Sequence, residues 1–293
     1  MLEDEGFRPA ADADSRWRNL IRFWKRLESD EVPGARVRVR GTEAVTDREG
    51  YFHLELEGSF RAGWNEVDLE LLHPARASAT ARILVPSKKA RFGLISDIDD
   101  TVVSSNVTRK LRMILTAAFS NARTRKPFKG VAAFYRALHA GVNPVFYVSK
   151  SPWNLFAPIV EYLAVQGLPE GPVILRDFGF RTSKNHKSAA IERILSTYPA
   201  LKFVLSGDSG EQDPEIYAGI VRRFPDRIRA IYIRSVNTKR ISEIQNLAAE
   251  VAKTGCQLVL APEAEAAAAH AAAEDLIQAS ELRAVRSERL SED

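Results

Sequence analysis

The chain has 293 residues, 45% of them hydrophobic and 27% charged, with a formal charge of +4, a composition suited to one large or two ordinary globular domains. That charge is too small to argue for a nucleic-acid partner, and a single cysteine, Cys256, excludes a disulfide framework and a cysteine-based zinc site. The start Met1-Leu2-Glu3-Asp4-Glu5 is acidic where a signal peptide would be basic, and no apolar run is long enough to span a bilayer, so the expectation is a cytoplasmic protein.

Residues 1–31 read as a polar start followed by an amphipathic helix. Trp17, Leu20, Ile21, Trp24 and Leu27 recur at helical spacing, and Pro33-Gly34 ends the pattern. Over residues 32–90 the period changes to two. Val37-Arg38-Val39-Arg40, Tyr51-Phe52-His53-Leu54-Glu55-Leu56 and Val67-Asp68-Leu69-Glu70-Leu71 alternate apolar with polar, which predicts a small β-sandwich. From residue 91 to 262, apolar runs at Phe92–Ile95, Val145–Val148, Val173–Leu175, Phe203–Leu205 and Ile228–Ile233 alternate with helical stretches at Val131–His139, Ala157–Gln166, Ser188–Ser196 and Pro214–Phe224. That order predicts an α/β domain with a doubly wound, Rossmann-like parallel sheet. Residues 263–293 are alanine-rich, acidic early and basic late, and read as a solvated or docked helical tail.

Chemistry concentrates where these strands end. Phe92-Gly93-Leu94-Ile95 leads into Asp97-Ile98-Asp99-Asp100-Thr101. Alternation along an extended segment puts Asp97 and Asp99 on one side. Clustered carboxylates repel one another, so a cation or a proton-transfer role is the functional reading and an acidic turn the bland one. Ser149 follows Val145–Val148, where a hydroxyl can meet a phosphate oxygen or simply cap a helix. Lys187 opens the helix that carries Ile191 and Ile194, and its bland reading is solvated surface. Phe203–Leu205 runs into Ser206-Gly207-Asp208-Ser209-Gly210-Glu211-Gln212-Asp213, whose acids either serve an ion or cap the helix near Pro214. Oxygen ligands without nearby histidine or cysteine favour Mg²⁺ over zinc.

In this order the motifs resemble the haloacid-dehalogenase superfamily of phosphotransferases. The stretches Ser96–Thr101, Tyr147–Asn154 and Gly207–Tyr217 are similar, more narrowly, to the actin-patch-associated phosphatidate phosphatase family. The resemblance covers about Arg91 to Ile233. It implies Asp97 as nucleophile, Asp99 as acid and base, Thr101 as an orienting residue, and Ser149 and Lys187 as phosphoryl-binding residues, with Lys184 a rival to Lys187. It further implies Mg²⁺ held by Asp97, Asp99 (through its main-chain carbonyl), Asp208 and Asp213, the last through water or by supporting Lys187.

The implied activity is hydrolysis of phosphatidate through an aspartyl-phosphate. The alternatives are a soluble or nucleic-acid-end phosphomonoester, or an inactive binding scaffold. The helical cap insert Asn106–Gly130 carries Arg109, Lys110, Arg112, Arg123, Arg125, Lys126 and Lys129 with no acid, which suits an anionic substrate or membrane surface, reached by a peripheral protein. Lys150 stands where the family pattern has a small polar residue, adding charge beside the phosphate site. The family also carries a strand before Trp17-Arg18-Asn19-Leu20, so the sequence is expected to begin inside its β region.

Overall fold

The computed structural model describes residues 32–48, 50–98, 130–176 and 185–291. The Trp17–Leu27 helix, Asp99, Asp100, Thr101, the basic insert up to Lys129 and Lys184 lie outside the described residues. The chain divides into two compact units that meet at Lys88 and Lys89.

The first unit is built on an antiparallel sheet. Its strands are β1 (Arg36–Val39), β2 (Thr42–Val45), β3 (Gly63–His73) and β4 (Ala77–Val85), in the order β2-β1-β3-β4. Alternation works here as the pattern predicts. Val37 and Val39 are buried while Arg36 and Arg38 point outward, and Leu69 and Leu71 pair with Val39 and Val37 across the ladder. Among the described residues of this unit these four strands form one sheet. Tyr51–Leu56 keeps its alternating exposure but forms no strand. Its Phe52 packs on the small core of Ala35, Val37 and Leu71, so apolar contact is met without a ladder.

The second unit is the predicted doubly wound sheet. Six parallel strands are β5 (Gly93–Ser96), β6 (Val145–Pro152), β7 (Val173–Arg176), β8 (Phe203–Asp208), β9 (Ile228–Arg234) and β10 (Gln257–Ala261). They lie in the order β10-β9-β8-β5-β6-β7. Every residue of β5 and β8 is buried, as expected of parallel strands covered on both faces. The helices are α1 (Val131–His139), α2 (Phe156–Val165), α3 (His186–Thr197), α4 (Asp213–Arg223), α5 (Ile241–Ala252), α6 (Ala264–Ala273) and α7 (Ala279–Ser291). Ile191 and Ile194 of α3, Ile220 of α4 and Ile244 of α5 join Ile95, Leu205 and Ile231 in one core. Cys256 lies in that core, and burial pushes its thiol up to about 11. The tail packs within this unit: Arg286 of α7 donates to Glu265 of α6 at 2.6 Å, and Arg136 of α1 pairs with Glu288. Among the described residues no helix is long and apolar enough to cross a membrane.

Topology selects one end of this sheet. From β5 the chain winds outward to β6 and β7, then returns to place β8, β9 and β10 on the other side of β5. The direction of winding therefore reverses between β5 and β8. At such a switch point the loops leaving the carboxyl ends diverge and open a crevice for ligand. Asp97 follows β5 and Asp208 ends β8.

Candidate active site

The ends of β5 and β8 are held in register. Ser96 pairs with Ser206, and the Asp97 amide donates to the Ser206 carbonyl at 2.9 Å. One residue further on, Gly207 lets α4 close over the strand. A Cβ at Gly207 would stand 2.4 Å from Asp213 Oδ2 and 2.8 Å from the Tyr217 ring, far inside van der Waals contact. Pro214 and the acids Asp213 and Glu215 start α4, and Arg222 and Arg223 close it, each placed as the helix dipole favours.

Lys187 is the centre of the arrangement. It sits in the first turn of α3 and is only 1% exposed, on the face that also buries Ile191 and Ile194. Its Nζ donates to Asp97 Oδ1 at 2.8 Å and to Asp213 Oδ1 at 2.5 Å, with Glu211 Oε2 at 3.5 Å. Burial works against the ammonium, but Asp213 and Asp97 outweigh it and hold the pKa well above the ordinary lysine value. The surface reading of Lys187 is thereby overturned.

Asp213 does not cap α4 with its side chain. Its second oxygen, Oδ2, accepts the Asp208 amide at 3.2 Å. Asp208 Oδ1 accepts the amides of Gly210 at 2.5 Å and Glu211 at 3.1 Å, which folds the loop back over the strand end. Ser149 is also fully buried, but it is no helix cap. The β6–β7 register shifts between Val148 and Pro152, β6 runs on to Pro152, and Ser149 Oγ accepts the Ser151 amide at 2.9 Å. It stands two residues beyond Tyr147, the register partner of Ser96. Of the sequence-level candidates, the structure thus brings Asp97, Lys187, Asp208 and Asp213 together, with Ser149 on the strand beside β5. Asp99 and Thr101 lie outside the described residues.

Two features escape the sequence. Glu211 is a loop acid by pattern, yet it joins Lys187 to Lys150, whose Nζ lies 3.0 Å from Glu211 Oε2. Burial alone would raise its pKa, but Lys187 and Lys150 carry it below the ordinary value. The extra charge of Lys150 is therefore met by a carboxylate within the site. Arg240 then fastens the loop, donating to the carbonyls of Ser209 at 3.2 Å and Glu211 at 2.6 Å. The second feature is a layer of hydroxyls beneath the strand ends, formed by Ser96, Tyr135, Ser206 and Tyr217.

The donor set suits a hard divalent cation. Asp97, Asp208 and Asp213 each offer a carboxylate oxygen, all within 4.8 Å of one another and all buried. With Glu211 they make four carboxylates, three of which meet the ammonium groups of Lys150 and Lys187, so the formal charge of these six groups is negative and one more cation is electrostatically favoured.

Comparison with known proteins covers the same stretch of the chain. The family model described as "Phosphatidate phosphatase APP1, catalytic domain" matches residues 92–235. The phosphatidate phosphatase APP1 of Saccharomyces cerevisiae is 32% identical over 219 residues, 71% of this chain and 36% of that protein. An uncharacterized protein of Schizosaccharomyces pombe is 32% identical over 152 residues, 50% of this chain and 25% of its own length. The chain therefore spans well under half the length of either fungal relative. A HAD family hydrolase of Deinococcus radiodurans, solved with phosphate and sodium bound, aligns at 18% identity over 65% of this chain and 99% of its own, with a TM-score of 0.37; a likeness that partial carries no functional argument.

Proposed function

We propose that this chain, whose residues 92–235 match the APP1 catalytic-domain family and which is 32% identical to the yeast phosphatidate phosphatase over 219 residues, is a Mg²⁺-dependent phosphomonoester hydrolase acting on a lipid phosphate such as phosphatidate. The observation that carries the reading is the buried contact of Lys187 Nζ with Asp97 Oδ1, 2.8 Å, inside the carboxylate cluster. It holds one oxygen of the proposed nucleophile in a fixed orientation against an ammonium group.

In the proposed reaction an Asp97 oxygen attacks phosphorus and the phosphorus–alkoxide bond breaks, leaving an aspartyl-phosphate. An alkoxide is a poor leaving group, so Asp99 gives it a proton. Asp99 then takes a proton from water, the water oxygen attacks phosphorus, and the bond to Asp97 breaks to release inorganic phosphate. Lys187 and the Ser149 hydroxyl hold phosphoryl oxygens, while Thr101 orients the strand end. Asp97 and Asp208, together with the Asp99 carbonyl, would hold Mg²⁺. Asp213, whose oxygens serve Lys187 and the Asp208 amide, would brace the set or bind through water. When bound, Mg²⁺ would offset the repulsion among these carboxylates and draw charge from the phosphoryl group. The basic insert before Gly130 would favour an anionic surface, which fits a peripheral encounter with membrane lipid.

Phosphate release measured on phosphatidate vesicles and on soluble monoesters, with and without Mg²⁺, tests the reading. Faster release from vesicles that needs Mg²⁺ and is lost in Asp97→Asn is expected. Equal rates on both substrate types would remove the lipid assignment and leave a soluble or nucleic-acid-end monoester. No release from either would leave the scaffold reading.

A further inference from the structure

Tyr135 has no part in the chemistry above, yet its hydroxyl is buried under the centre of the site. It comes from α1, the helix that follows the insert, and is 1% exposed. Its Oη lies at hydrogen-bond distance from two hydroxyls, 2.7 Å from Ser96 Oγ and 2.9 Å from Ser206 Oγ. These two serines are the register partners that end the paired part of β5 and precede the diverging carboxylates. Ser96 Oγ also donates to the Asp97 main-chain carbonyl at 2.6 Å, so the network reaches the peptide of the nucleophile itself. From α4, the Tyr217 hydroxyl donates to the Ser206 carbonyl at 2.9 Å.

We propose that Tyr135 is a positioning residue: its hydroxyl cross-links the last register pair of β5 and β8 and so fixes how far apart the Asp97 and Asp208 carboxylates stand. The inference rests on the reading that these two carboxylates share one divalent cation. Main-chain pairing alone stops at the Asp97 amide. Beyond it β8 stays paired with β9 as far as Asp208, but among the described residues no main-chain bond joins β8 to β5 there. Ser96 and Ser206 are 0% and 5% exposed, so without Tyr135 Oη their hydroxyls would lose a partner where water does not replace it. Relief comes from rotating Ser96 away from the Asp97 carbonyl or shifting a strand end. Either change moves a cation ligand, and shifts of about 1 Å near a reacting group cost roughly 10²-fold in rate.

The test is Tyr135→Phe, which keeps the ring and its edge contacts with Phe134 at 6.2 Å. Two quantities are read on the full chain: the Mg²⁺ concentration giving half of the metal-induced rise in melting temperature, and kcat and KM for phosphate release. The Mg²⁺ midpoint is expected to rise about 10-fold, in the range for partners that orient metal ligands. kcat should fall roughly 10- to 100-fold with KM within about 2-fold. Ser206→Ala should move the midpoint in the same direction, and it decides the matter if Tyr135→Phe does not fold. Tyr232→Phe removes a nearby hydroxyl bonded to His270 instead and should leave the midpoint unchanged. A midpoint within about 2-fold of the parent in Tyr135→Phe and Ser206→Ala, whatever the loss in melting temperature, overturns the proposal while the phosphatase reading stands. A parent chain with no Mg²⁺ response overturns the shared-cation premise, and the proposal with it.

Discussion

On the four-stranded sheet, Arg36 and Arg38 share Glu43 at 2.9 and 2.6 Å, and Arg38 also reaches Glu70 at 3.5 Å, with each of these side chains more than a third exposed. At the crevice of the six-stranded sheet, Lys187 meets Asp97 and Asp213 at 2.8 and 2.5 Å with side-chain exposures of 1%, 0% and 0%. The distances are alike and the surroundings are opposite. Water and salt screen the first group, so its ions gain little over being solvated separately. The second group has lost its water, and each charge depends on its partners. Burying like charges together is a cost that folding alone does not call for, and in this chain it is concentrated where the strand order reverses.

Five substitutions would break or sharpen that contrast. Asp97→Asn should give the largest effect, a fall in phosphate release of about 10³-fold or more, because an amide cannot serve as nucleophile. Far-ultraviolet circular dichroism should remain that of the parent. Lys187→Met should follow. Removing one partner of a buried pair typically costs about 3–5 kcal/mol, and denaturant unfolding should show it. Adding Asp213→Asn to Lys187→Met should recover part of the loss, and a double variant no more stable than the single one would contradict the cage. Gly207→Ala drives a methyl into Asp213 and Tyr217, and overpacking of this kind costs roughly 1–3 kcal/mol. Its Mg²⁺ midpoint should rise, since Asp213 must move. Glu43→Gln is expected to leave the melting temperature unchanged, and a clear drop would show that the open sheet is not as well solvated as its exposure implies.

Much of the site was legible because strand ends announce themselves. An apolar run that stops at a carboxylate or hydroxyl can be placed at the carboxyl edge of a parallel sheet before any coordinates are known. Lys187 was named by the family resemblance, with Lys184 as its rival, and its burial on the face of Ile191 and Ile194 came only with the structure. Glu211 was not legible, because one more acid in a glycine-containing loop has no distinguishing period. Tyr135 was hidden for the opposite reason. It lies on the regular apolar face of α1, where an aromatic residue reads as core, and its hydroxyl partners are 39 and 71 residues away. Tyr51–Leu56 marks the reverse failure, a strand-like alternation without a strand, since two-residue periodicity reports which side is buried and not whether a neighbour is in hydrogen-bonding reach.

The sequence by itself determined the class of the sheet, the order of the chemical groups along it and the oxygen-rich character of the candidate cation ligands. These depend on local period and composition, which survive in one dimension. Tertiary structure alone decided that Lys187 stands between Asp97 and Asp213, that Glu211 meets Lys150, and that the Asp97 and Asp208 strand ends are locked at Ser96 and Ser206. Those contacts join residues up to 110 positions apart, Ser96 to Ser206 being the longest. The carboxylate motif that begins at Asp97 fixes a cost in electrostatic repulsion wherever it is buried. Only the packing of α1, α3 and α4 against the reversed strand order supplies the charges and hydroxyls that make that cost bearable.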